Sequence, residues 1–169
     1  MSERSKPHLV YIAFFFPPSR ASGVYRALAT ANVFRSKGWE VTVITSNEEF
    51  YVNEIGTYDA SLLKSIDKEI SVIRVPFSFG SNAGERSNTR LKSVFLRIQR
   101  KVKVIFANVL GRFLSPAKAD NYYEWVNPAM SALLEANENK RVSHILATGN
   151  PFSSFEVAYR CCLLYTSPS

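Results

Sequence analysis

Cysteine is almost missing from this chain: Cys161 and Cys162 are its only two, and they are adjacent. Neighbouring cysteines make neither an ordinary disulfide framework nor the C-x-x-C spacing of a metal or redox pair, which points to a reducing compartment. Long apolar runs are missing too. The longest early one, Leu9 to Phe16, falls well short of the ~20 residues that span a bilayer. Helix-forming sequence rather than a cleavage site follows it, so a buried strand accounts for it.

Several chemical signatures are absent as well. No G-x-G-x-x-G follows the first apolar run, and Thr45-Ser46-Asn47 rather than an acidic residue closes the second, which argues against nicotinamide or flavin. No Walker loop occurs, and Ser153-Ser154 lacks the G-x-S-x-G elbow that would expose a nucleophile, so helix capping is the expected job there. His8 and His144 are the only histidines, each just ahead of an apolar run and without a second ligand at metal spacing, and both read as structural. Acidic residues are absent from Arg86 to Lys118, where nine Lys or Arg stand in a chain of net charge +7. Such a block attracts anionic partners without selecting one.

What is present reads as one α/β domain. Leu9 to Phe15 is apolar, Val24, Ala27, Leu28, Ala31 and Phe34 recur at helical spacing, and Val41 to Ile44 is β-branched, giving a βαβ unit with parallel strands. Ser22 is the expected N-cap and Gly38 the stop. A short helix is expected over Tyr58 to Ile66, a third strand over Ile70 to Val75 and a mobile loop over Phe77 to Thr89. Leu91, Phe95, Ile98, Val102, Ile105 and Val109 line one side of a helix, with Arg90, Lys92, Arg97, Arg100, Lys101 and Lys103 on the other. Another helix is expected over Asp120 to Asn137, a strand over Val142 to Ala147 and a helix from Ser153.

Two strand-to-helix loops stand out, Pro17 to Gly23 and Thr148 to Ser153. Both fall at the carboxyl ends of parallel strands, where open sheets place ligands. A helix start offers unpartnered amides and the positive end of the dipole, so the first loop reads as an anion cradle suited to a phosphate-bearing ligand.

Phe16-Pro17-Pro18, Gly23, Arg26 and Gly38-Trp39-Glu40-Val41-Thr42-Val43-Ile44-Thr45 together resemble the opening of glycosyltransferase family 4, which has the GT-B fold. Asp120, Trp125, Pro128-Ala129 and Thr148-Gly149-Asn150-Pro151-Phe152-Ser153-Ser154 are similar to a later pattern of the same N-terminal domain. Trp39 and Phe155 stand where that family often has histidine.

The resemblance implies a Rossmann-like open parallel sheet with helices on both faces, the acceptor-side half of a retaining enzyme that moves a sugar from a nucleotide-diphosphate donor. Ser22 and Gly23 would then offer amides to the donor diphosphate, with Arg20 and Arg26 supporting that charge or the acceptor. Thr148, Gly149, Asn150 and Phe152 would form the cleft floor, and Asp120 and Trp125 the acceptor side. The donor is a substrate, and no cofactor, metal or nucleic acid is expected. The implied partners are the nucleotide-sugar, a glycan or lipid acceptor and an anionic membrane met by the basic helix, which places the protein in the cytoplasm or on the inner face of the plasma membrane.

The family's second domain has no counterpart here, so residues 1–160 read as an incomplete N-terminal domain, inactive by itself, and 161–169 as a non-native or disordered tail. The rival expectation is a non-enzymatic basic module that binds anionic membrane or nucleic acid through residues 86–118.

Overall fold

The computed structural model describes residues 6–79 and 120–166, with side chains as far as Leu163. Four parallel strands form one sheet in the order β3-β2-β1-β4: β1 His8–Ile12, β2 Glu40–Ser46, β3 Ser71–Val75 and β4 His144–Ala147. Parallel neighbours require crossovers, and α1, Val24–Ser36, makes the first. Its end is fixed by Gly38 at φ +85, with Gly38 N donating to Arg35 O at 2.9 Å and Trp39 N to Phe34 O at 3.2 Å.

Side-chain alternation along β1 divides the core into two layers. Leu9, Tyr11 and Ala13 face α1 and pack with Ala27, Leu28 and Ala31. Val10, Ile12 and Phe14 face the opposite side, where α3, Val126–Asn139, contributes Val126, Ala129 and Leu133 and α4, Ser153–Thr166, contributes Val157 and Cys161. The chain is thus an α/β domain with a Rossmann-like open parallel sheet and helices on both faces, as expected. Among the described residues no helix is long and apolar enough to cross a membrane.

Phe14, fully buried just past β1, is the centre of an aromatic cluster. The rings of Phe15, Phe50, Phe77, Tyr122 and Trp125 stand edge-on to it at 4.7–5.5 Å, each such pair contributing about 0.5–1.5 kcal/mol beyond area burial. Phe79 joins them, 5.3 Å from Tyr122.

Several elements differ from the sequence reading. Gly23, not Ser22, occupies the N-cap of α1, and no side chain caps it. The polar stretch after Thr45 holds a helical turn, α2 at Glu48–Phe50, that widens into a π-turn at Tyr51–Ile55, because Phe50 and Tyr51 are buried against the cluster. The helix expected at Tyr58 to Ile66 is a 3₁₀ segment, Ala60–Ser65, begun by Asp59, whose Oδ1 accepts from the Ser61 hydroxyl at 2.6 Å and from Ser61 N at 2.9 Å. Those bonds hold the Asp59 carboxyl below its ordinary pKa.

Phe77, assigned from sequence to a mobile loop, is a core residue. A 3₁₀ turn at Tyr123–Trp125 precedes α3, which starts later than expected. The break expected at Cys161 does not occur, since α4 continues to Thr166 and buries Cys161 beside Val157. The basic helix, with Arg90, Lys92, Arg97, Arg100, Lys101 and Lys103, and most of the preceding loop lie outside the described residues.

Candidate functional site

Because β1 lies between β2 and β4, crossovers leave it in opposite directions, and the crevice at that reversal is where open α/β sheets bind ligands. The two loops singled out by sequence follow β1 and β4 at the same rim of the sheet, and the second starts against the end of β1, where Thr148 N donates to Ile12 O at 3.0 Å. Each contains a cis X-Pro bond, Pro17-Pro18 and Asn150-Pro151.

The first loop is tightly held. Arg20 N donates to Thr57 O and Asp59 N to Pro18 O, both at 2.7 Å, while Ser19 pairs with Tyr58 as an isolated bridge. Arg74, from the end of β3, donates through Nη2 to Pro17 O at 2.9 Å and pairs through Nε with Glu48 at 3.1 Å. Tyr51 donates its hydroxyl to Phe14 O at 2.6 Å and lies 2.8 Å from Thr45 Oγ1, and burial pushes its phenol up to about 12. Sequence reasoning missed both residues. An arginine interrupting the β-branched run of β3 was the available signal for Arg74, and Tyr51 offered none.

The loop leads to open helix amides. Val24 N is bonded to Ala21 O at 2.9 Å, but among the described residues nothing engages the amides of Ser22 and Gly23. Ser22 is exposed, and a Cβ on Gly23 would meet nothing within 4 Å. Arg20 and Arg26 are exposed nearby in sequence, and neither forms an ion pair among the described residues. This end of α1 can therefore receive an anion, with the dipole in its favour.

The second loop differs in kind. At the start of α4, Ser153 donates from both its amide and its hydroxyl to Asp120 Oδ2 at 2.9 Å, and Tyr122 N donates to Asp120 Oδ1 at 3.1 Å. A carboxylate of the protein already fills the position that a phosphate would take at α4. Asp120 is thus a clamp rather than a free acceptor-side group, and Ser153 caps as donor to it. Trp125 is likewise corrected from the acceptor side to the core: it is fully buried against Phe14. The remaining floor residues are accessible, with Thr148 and Gly149 half-buried and Asn150 and Phe152 exposed. Asn150 holds φ at 60, a left-handed conformation that asparagine tolerates better than most residues. A Cβ on Gly149 would stand 3.0 Å from the Phe155 ring.

Two further clefts lie elsewhere among the described residues. One of about 390 Å³ opens at the amino ends of the strands, lined by residues that include His8, Arg35, Glu40, Glu69 and Lys140. Arg35 pairs there with Glu69 and Lys140 with Glu40, and the Lys140 hydrogen bond lowers the Glu40 pKa. His8 is structural, donating from Nδ1 to Lys140 O at 3.2 Å with Nε2 2.9 Å from Thr42 Oγ1. The other, about 280 Å³, lies beyond β2 and β3 near Asn47, Glu49 and Glu54. Among the described residues no group of three or more His, Cys, Asp or Glu is placed to hold a metal. No protein-family model matches the chain, and no curated protein matches it.

Proposed function

We propose that this domain is the acceptor-side half of a retaining GT-B glycosyltransferase, holding a nucleotide-diphosphate sugar where its two loops meet. The observation that carries the reading is the contrast between two helix starts at one sheet rim: α4 filled by Asp120, α1 open at Ser22 and Gly23. The motif resemblance of both loops to glycosyltransferase family 4 supplies the chemical class.

In this reading the Ser22 and Gly23 amides stabilise charge on the departing nucleoside diphosphate, aided by Arg20 or Arg26. Thr148, Gly149, Asn150 and Phe152 shape the floor under the sugar. In a GT-B enzyme a facing domain completes the site, because one wall cannot by itself fix the reacting atoms relative to each other. The acceptor is an envelope glycan or lipid-linked glycan, and the basic block at 86–118 favours an anionic membrane, at about 1 kcal/mol per Lys or Arg near the surface. In this reading the enzyme works in the cytoplasm, where the inner face of the plasma membrane is the anionic surface it would meet.

The test is a titration of isotope-labelled protein with UDP, GDP and ADP followed by amide NMR. The expected outcome is saturable shifts at Ser22, Gly23 and Thr148 for at least one nucleotide. Shifts confined to the cleft around Lys140, or none at all, would reject the reading.

A further inference from the structure

Arg74 ties the first loop of the crevice to parts of the chain outside β1 and α1. Strand register sets it beside Thr45, and alternation puts it on the same face as Val43 and Val72, the face of the sheet that α1 covers. From there Nη2 donates to Pro17 O at 2.9 Å, and Nε reaches Glu48 Oε1 at 3.1 Å. The other oxygen of Glu48 accepts from the Tyr58 hydroxyl at 3.3 Å, and the backbone of Tyr58 bridges that of Ser19. Arg74, Pro17, Ser19, Tyr58 and Glu48 therefore close a ring of contacts around the loop.

The ring supplies geometry more than stability. Both side chains of the ion pair are partly exposed, and pairs in contact with water add little to folding. Arginine contributes a planar fork that presents two donors at a fixed angle, whereas a lysine ammonium would carry the charge without the angle. The other ties of the loop run to the same segment, since Asp59 N donates to Pro18 O and Arg20 N to Thr57 O, both at 2.7 Å. Ser19 Oγ stands 3.2 Å from Thr57 Oγ1 and accepts from Ala21 N at 3.2 Å. Val24 N is bonded in turn to Ala21 O at 2.9 Å, so a displacement at Pro17 or Ser19 passes directly into the first turn of α1. Placement matters at a reacting centre, where an error of about 1 Å can cost on the order of a hundredfold in rate.

With the crevice read as a nucleotide site, we infer that Arg74 is a positioning residue for it. By gripping Pro17 and Glu48 at once, Arg74 sets the shape of the loop wall that faces the diphosphate, and it acts through the loop rather than on the ligand.

The experiment is amide NMR of the whole chain and of Arg74→Lys, first without ligand and then titrated with UDP, GDP and ADP. Arg74→Lys keeps the charge and most of the aliphatic stem, so the fold should survive. Glu48→Ala, which leaves Arg74 in place but opens the ring, is the second variant. Without ligand, the amides from Ser19 to Gly23 should shift in both variants while those of β1 and α3 stay with the parent. Nucleotide affinity, measured below the unfolding transition, should fall about fivefold or more in both. Glu48→Ala removes a negative charge from the rim, which on electrostatic grounds alone would tighten anion binding, so weaker binding there marks lost positioning. A parent that binds none of the three nucleotides at the loop overturns the proposed function and the role of Arg74 together. A parent that binds, with both variants binding equally well, overturns the role of Arg74 alone, as do unshifted amides from Ser19 to Gly23.

Discussion

Asp120 Oδ2 lies 2.9 Å from both the amide and the hydroxyl of Ser153, so one carboxylate ties the chain ahead of α3 to the first turn of α4. The negative group stands at the positive end of the helix, and its second oxygen is engaged by Tyr122 N. Replacing Asp120 by Ala removes these charge-assisted bonds together. Urea unfolding should show a loss of about 2–3 kcal/mol. Asp120→Asn, which keeps acceptors but not the charge, should fall between the two. Equal stability of all three proteins would mean that the clamp contributes nothing.

Gly23 separates ligand recognition from folding. Its backbone is in the ordinary right-handed region at φ −75, and a side chain there would enter open space. Gly23→Leu should lower the thermal midpoint by only a few degrees, the cost of exchanging a favoured N-cap residue for a poor one, about 1 kcal/mol. The same change should weaken nucleotide binding by about tenfold or more, since it fills the space that a diphosphate must approach. Calorimetric titration reads the second effect and a melting curve the first. Undiminished binding would remove the α1 amides from the site.

Tyr51 makes stability depend on pH in the alkaline range. Burial raises its phenol from the ordinary 10.0 to about 12, so above pH 10 the unfolded chain releases a proton that the folded one keeps. Its contribution is complete below that point and declines as pH climbs towards 12, by roughly 2–3 kcal/mol in all. Tyr11 and Tyr122, also raised by burial, add to the decline, so the informative quantity is the difference between the parent and Tyr51→Phe. Unfolding free energies on either side of pH 10 should fall less steeply for the variant.

Trp125 tests the reassignment from acceptor contact to core. Its indole nitrogen has no hydrogen-bond partner among the described residues, so Trp125→Phe gives up packing alone. The expected cost is about 1–2 kcal/mol, against roughly 3–5 for Trp125→Ala. Nucleotide affinity of the folded Phe variant should be unchanged. A selective loss of affinity with stability intact would return the residue to the site.

The sheet was legible because β1, β2 and β4 are apolar or β-branched runs separated by a helical period and by glycine stops, and local pattern determines such elements. The pairing of the two loops at one rim followed from the same pattern. Trp125 was also readable: it precedes Ala129 and Leu133 by four and eight positions and so lies on the stripe that α3 buries. Cys161 follows Val157 by four in the same way, which is why α4 does not stop there. The contacts that decide which helix start is free were hidden. Asp120 and Ser153 are 33 positions apart, and Arg74 reaches Pro17 across 57, so no local spacing announces either.

The ring contact between Phe79 and Tyr122, 5.3 Å centre to centre, joins two positions 43 apart in the sequence at one aromatic patch. A linker joining two such neighbouring positions closes with an entropy cost that grows only as the logarithm of its length.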